Sequence, residues 1–324
     1  MGAKDLSIVL ATATQQQEAP LSNIFIGNAA GTVKTPKEFE RLLTSGVTAI
    51  TIGSITKETR TGNTGDTYHY HRQEQWALNS LGMPNPGIKT LLGWLPRLRS
   101  LAARHAIELR VSIAGFSPEE YAELAGVLIR CGVDDVELNF GCPNVWGPDG
   151  KQKPIPSYEP ELVSEILLKV RAAIPTVAKV SVKLSPVEDA EVLLRLARRI
   201  SETNIVSRVI AVNTLPNQNR THEEGGPALS FNGGNHLGGL SGRPLKEHGL
   251  RVVKTLRGAL PLHIDVIGAG GVFNGSDMLD YLNAGASGVM IATALLEFGP
   301  RIFSSVLQEF AELLGAEKYL GDSS

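Results

Sequence analysis

Eight short, β-branched apolar runs recur along this chain of 324 residues, each bounded by Gly, Pro, Asn or Asp. They are Ile24 to Ala30, Ala49 to Ser54, Glu108 to Gly115, Asp135 to Phe140, Val180 to Ser185, Arg208 to Asn213, Ile264 to Gly270 and Gly288 to Leu295. Continuous apolar runs of this length read as strands buried on both faces of a parallel sheet. Between them lie mixed-charge stretches with helical spacing: Pro118 to Cys131, Pro160 to Ile174 and Val187 to Ile200. Ser117 followed by Pro118 supplies an N-cap and a first-turn proline for the first of these. Eight strand–helix alternations predict an α/β fold of the (β/α)8 TIM barrel type, in preference to an open doubly wound sheet. No short-period repeat or interdomain linker interrupts the pattern, so residues 1–324 are expected to form a single domain.

In such a barrel the chemistry sits where strands end and βα loops begin. Two connections are long for such loops, Thr56 to Gly87 after the second strand and Thr214 to Gly242 after the sixth. They read as lids or substrate walls. The formal net charge of -2 gathers into no block of one sign, which argues against nucleic acid or an anionic membrane surface as partner. Two cysteines, Cys131 and Cys142, are too few for a disulfide framework, and no Cys/His cluster has zinc spacing, so a reducing cytoplasm and no metal are expected. There is no run of about 18 apolar residues, and hence no expected spanning helix.

Several strand ends carry groups suited to chemistry. The seventh strand closes on Gly270 and Gly271, and the eighth passes Ala292 and Thr293, which places adjacent loops where barrels often hold phosphate. A third glycine segment, His236 to Gly242, could bring another backbone to the same anion. Lys183 ends the fifth strand among apolar neighbours, where an ammonium needs a partner; a structural carboxylate and the electron-rich edge of a flavin are equally good candidates. Asn79, Asn139, Asn144 and Asn213 offer both donors and acceptors, enough to satisfy a planar cyclic imide or urea, although loop asparagines such as Asn79 and Asn144 also commonly serve turns. Cys131, on a helix, reads as a small core hydrophobe. Cys142, past a strand end and amid amides, could take a carbon-bound proton as general base. His69 and His71 read as solvated residues of a polar loop.

With these residues assembled, the chain resembles the dihydroorotate dehydrogenase family over nearly its whole length. The segments "NSLGMPNPG", "ELNFGCPN", "VKLSP", "AVNT", "GGLSG", "GAGGV" and "IATAL" occur in the family's order. The resemblance implies FMN across the barrel mouth and oxidation of dihydroorotate to orotate in pyrimidine biosynthesis. Cys142 would remove the C5 proton while hydride passes from C6 to flavin N5. Asn79, Leu81, Gly82, Met83, Asn139, Asn144, Asn213 and Thr214 would hold the pyrimidine. Ala30, Gly31, Ser54, Asn139, Lys183, Gly242, Gly270, Gly271, Ala292 and Thr293 would hold FMN.

A cysteine base is similar to the soluble members, whereas the membrane-associated, quinone-using class carries serine there. Two positions depart from the soluble pattern: Gly53 stands where that class has a lysine, and Lys34 falls where the membrane class has its substrate-side lysine. Lys34 is therefore expected to supply the cation from a different strand. Soluble members use fumarate as homodimers, or pass electrons through an iron–sulfur flavoprotein subunit to NAD; a homodimer using fumarate is the expectation. Alternatives are another flavin-dependent pyrimidine oxidoreductase, a transfer-RNA dihydrouridine synthase, or a phosphate-binding barrel without flavin. The second of these would need a basic face and an RNA-binding helical domain, neither of which is evident.

Overall fold

The structure, a computed structural model, describes residues 24–142 and 154–315. Eight parallel strands close into a barrel: Phe25–Asn28, Ala49–Ile55, Glu108–Ile113, Asp135–Asn139, Val180–Leu184, Val206–Ala211, Asp265–Ala269 and Gly288–Ile291. Each pairs with its neighbours in chain order and the first pairs with the last, as the (β/α)8 expectation requires. All eight predicted strands are present, with ends shifted by up to a few residues. The largest shift is in the last, expected to run to Leu295: the strand stops at Ile291, and Thr293–Phe298 is helical. An apolar run alone does not distinguish a buried strand from the buried first turn of the helix that follows.

The helices form where apolar periodicity meets a start signal. Ser117 accepts a hydrogen bond from the Glu120 amide at 3.2 Å, Pro118 occupies the first turn, and the Pro118–Arg130 helix buries Tyr121, Leu124, Ala125 and Leu128 against the barrel. Pro160–Ala173 begins and ends close to expectation. The sixth-strand side of the pattern starts later than predicted, at Ala190, because Asp189 accepts from the Glu191 and Val192 amides and so fixes the cap there. Among the described residues no helix is long and apolar enough to cross a membrane.

The two long insertions, expected as lids or substrate walls, are not free loops. Tyr68–His71 and Trp76–Asn79 from the first join Leu215–Gln218 and Gly238–Gly242 from the second in a four-stranded antiparallel sheet. Trp76, Leu78, Leu229, Phe231 and Leu240 give this sheet its own apolar cluster. Segments some 160 residues apart in sequence thus become one platform at the barrel mouth, with Asn79 paired to Gly239. His69 and His71 are corrected accordingly: they lie on a strand, with His71 stacked on Trp76 at 5.0 Å and His69 Nε2 3.2 Å from Glu223. Strand pairing with Trp76–Asn79 turns the two imidazoles toward the Trp76 side, which a reading of local polarity misses.

Candidate active site

The C-terminal ends of the barrel strands and the platform enclose a cleft, about 1160 Å³ with its open mouth included. Every expected site residue within the described residues lines it: Ala30, Gly31, Lys34 and Ser54 on one side; Asn79, Leu81, Gly82 and Met83 from the platform; Asn139, Cys142, Lys183, Asn213 and Thr214 from the middle strands; Gly242, Gly270, Gly271, Ala292 and Thr293 opposite. Asn144 lies outside the described residues.

The strand ends are tied together by amides. Asn139 donates through Nδ2 to Ser54 Oγ at 2.8 Å, and its Oδ1 accepts from the Gly141 amide at 3.1 Å and from Asn213 Nδ2 at 3.1 Å. Asn213 Oδ1 in turn accepts from the Thr214 amide at 2.8 Å. Each amide therefore has a fixed face and, among the described residues, one N–H not spent on these bonds. Beneath them Tyr121, fully buried, donates to the Asn139 carbonyl at 2.7 Å, and burial pushes its phenol pKa well up. Thr214 Oγ1 is buried with no hydrogen-bond partner among the described residues, so a polar ligand is the natural way to satisfy it. Cys142 lies half-buried just past the fourth strand.

Lys183 is 4% exposed, and burial lowers its pKa, with Glu137 as the main opposing charge. No carboxylate among the described residues comes within ion-pair distance of it, which disfavours a direct structural salt bridge and leaves its ammonium facing the cleft. Across the cleft, Gly242, Gly270 and Gly271 adopt positive φ of 87°, 118° and 69°. Successive backbone units in such conformations form concave donors suited to an anion. At Gly271 a β-carbon would come within 2.7 Å of Lys246 Cβ, so the turn also needs glycine sterically.

Lys34 lines the same cleft; burial lowers its pKa and Glu38 partly restores it. Glu38 accepts from the backbone amides of Lys34 and Thr35 at 2.7 and 2.9 Å, which closes the loop that carries the lysine. At Gly53 no lysine could be accommodated: φ is +117°, and a β-carbon there would lie 2.4 Å from the Ser112 carbonyl oxygen. Position 53 is thus closed to a lysine, and Lys34 lines this side of the cleft.

Sequence reasoning missed Tyr68 and Ser241, which also line the cleft. Tyr68 donates to Glu297 at 2.7 Å, and Thr293 Oγ1 bonds Ser241 Oγ at 2.9 Å. Ser241 sat unremarked inside the "GGLSG" segment; Tyr68 had no local signal, since only pairing within the platform brings it to the mouth.

Comparison with known proteins bears on the family. The family described as dihydroorotate dehydrogenase matches residues 12–314. A Methanopyrus kandleri protein named dihydroorotate dehydrogenase B (NAD(+)), catalytic subunit, is 33% identical over 87% of this chain and 84% of its own length. A Staphylococcus carnosus protein of the same name is 30% identical, over 82% and 80%. An Aeropyrum pernix protein provisionally named dihydroorotate dehydrogenase A (fumarate) is 28% identical, over 91% and 90%. The crystal structure of an Eimeria tenella dihydroorotate dehydrogenase bound to ferulenol superposes with a TM-score of 0.75 over 95% of this chain and 90% of that one; at 20% identity it bears on the fold alone. A match that runs from before the first barrel strand to beyond the last, on a barrel with this cleft, leaves one assignment: the chain belongs to the dihydroorotate dehydrogenase family of oxidoreductases.

Proposed function

We propose that this chain is an FMN-dependent dihydroorotate dehydrogenase that oxidises dihydroorotate to orotate in pyrimidine biosynthesis. The observation that carries the reading is the convergence of Cys142, Asn139, Asn213 and Lys183 with three positive-φ glycines on one cleft. The donor set fits FMN: a buried ammonium for the electron-rich edge of the ring, and backbone donors at Gly242, Gly270 and Gly271, with Thr293 beside them, for the phosphate. Bound there, FMN supplies the acceptor for the hydride that leaves C6 of the substrate.

The chain's own groups do the rest. Asn139 and Asn213, locked by their mutual bond, present N–H groups of fixed direction to the pyrimidine carbonyls, and Asn79 approaches from the platform. Cys142, as thiolate, takes the C5 proton, so that the C5–H electron pair becomes the ring double bond as hydride departs from C6. Lys34 offers a positive charge for the substrate carboxylate, the feature that separates dihydroorotate from a plain uracil or thymine. The platform, held by its own apolar cluster, excludes water from the reacting carbons.

Anaerobic addition of dihydroorotate to the purified yellow protein tests this: the flavin should bleach, and an unbleached flavin refutes the substrate. The acceptor is read by reoxidising with fumarate, NAD or a quinone in turn. Fumarate with a homodimer is the reading expected from the sequence; the names of several relatives, which specify NAD(+) and a catalytic subunit, favour a second reading in which electrons leave through a partner protein.

A further inference from the structure

The interior of the barrel below the cleft is charged, where such barrels are usually filled by branched aliphatic side chains. Arg110, fully buried, reaches Asp135 at 2.9 Å and Glu137 at 3.6 Å, and donates to Ser181 at 2.8 Å. Arg208 reaches Glu108 at 2.7 Å and Asp135 at 3.2 Å. Both guanidinium groups lie against the Phe25 ring, at 5.2 and 4.8 Å from its centre. Two guanidinium groups thus face three carboxylates in this layer, Glu108, Asp135 and Glu137.

One carboxylate is therefore in excess, and Glu137, which meets Arg110 only at 3.6 Å, is the most loosely compensated of the three. It is 0% exposed, and neither of its carboxylate oxygens has a hydrogen-bond partner among the described residues. A buried carboxylate in that condition is strongly unfavourable unless a countercharge is near. On the adjacent strand Glu137 is level with Ser181, and Lys183 lies two residues further along, on the same inward face and one layer nearer the cleft. Lys183 has the complementary need, since a lone buried ammonium tends to shed its proton.

We propose that Glu137 is a positioning residue which, from one layer beneath, keeps Lys183 charged and directed into the cleft, so that the cation offered to FMN is a property of the pair. The proposal rests on the reading that FMN lies against Lys183. Around that ammonium, Glu137 is the largest charge favouring protonation, Cys142 acts in the same sense, and Arg110 opposes it, while the sixth strand contributes only apolar Ile210 at the level of Lys183. Removing the Glu137 charge therefore makes Lys183 easier to deprotonate.

The test uses the FMN-loaded protein without any pyrimidine. The flavin midpoint potential is followed against pH by photoreduction, and FMN affinity by fluorescence, for wild type, Glu137→Gln, Lys183→Met and the double variant. Glu137→Gln should weaken FMN binding, lower the potential, and move the pH inflection caused by Lys183 down by about 1 to 3 units. In the Lys183→Met background, Glu137→Gln should change neither property. An unchanged inflection in Glu137→Gln, or an equal effect with and without Lys183, overturns the proposal and leaves Glu137 a purely structural partner of Arg110. If Glu137→Gln does not fold, nitrogen NMR of the wild-type Lys183 side chain decides: an ammonium at pH 8 is expected, and a neutral amine there refutes the pair. A Lys183→Met protein with unaltered FMN affinity and potential would instead remove the flavin from Lys183, while the NMR titration still reports on Glu137.

Discussion

Asn213 Nδ2 donates to Asn139 Oδ1 at 3.1 Å, joining the ends of the fourth and sixth barrel strands across 74 residues of sequence. The bond does more than brace the mouth. Because Asn139 Oδ1 is also taken by the Gly141 amide, neither amide can turn over without breaking several contacts, and both residues line the cleft.

Asn213→Ala should therefore weaken orotate binding by about tenfold to a hundredfold, since one direct donor is lost and Asn139 is released to rotate. Titrating the flavin spectrum with orotate checks it. Affinity within twofold of wild type would show that the amide pair does not touch the ligand.

Cys142→Ser should retain FMN yet slow flavin reduction by dihydroorotate about 10² to 10⁴-fold, the usual contribution of a general base. A serine hydroxyl gives up its proton far less readily than a thiol, so the rate should recover as pH rises. Stopped-flow reduction across pH measures both features. Reduction at the wild-type rate would assign the proton to another group.

Lys34→Met should lower kcat/KM for dihydroorotate sharply while leaving FMN binding intact. Supplying the cation at Gly53 instead should fail: Gly53→Lys meets a positive φ and a β-carbon contact of 2.4 Å with a backbone oxygen, and should lower stability by about 2 kcal/mol or more rather than rescue the Lys34 variant. Steady-state kinetics and urea unfolding read the two effects. A well-folded, rescued double variant would refute the steric argument.

The half-buried Lys34 also sets a pH dependence. Burial holds the Lys34 pKa below its ordinary 10.5, so the unfolded chain binds more protons in the interval between the lowered value and 10.5. Stability from this group consequently rises with pH through that interval, and its cost is fully present below it. Lys34→Met apoprotein should be more stable than wild type at pH 7, with the difference shrinking as pH approaches 10.5. Urea midpoints at pH 7 and 10 give the answer; a pH-independent difference would mean that Lys34 is not strained by burial.

The barrel was legible in the sequence because its signal is local. A run such as Gly288–Ile291 is apolar on both faces wherever it sits, and Ser117–Pro118 starts a helix through contacts within one turn. Much of the cleft followed, since in a parallel barrel all strand ends share one face; knowing that Asn139, Lys183 and Asn213 close their strands is enough to bring them together. What the sequence could not decide depended on pairing between distant segments. The platform that carries Asn79, Tyr68 and Ser241 exists only because two insertions hydrogen-bond to each other, and no local pattern encodes which strand Trp76–Asn79 will choose. The charged layer of Arg110, Glu137 and Arg208 is likewise a tertiary product: inward direction is set by barrel closure, and only then do residues from different strands become countercharges.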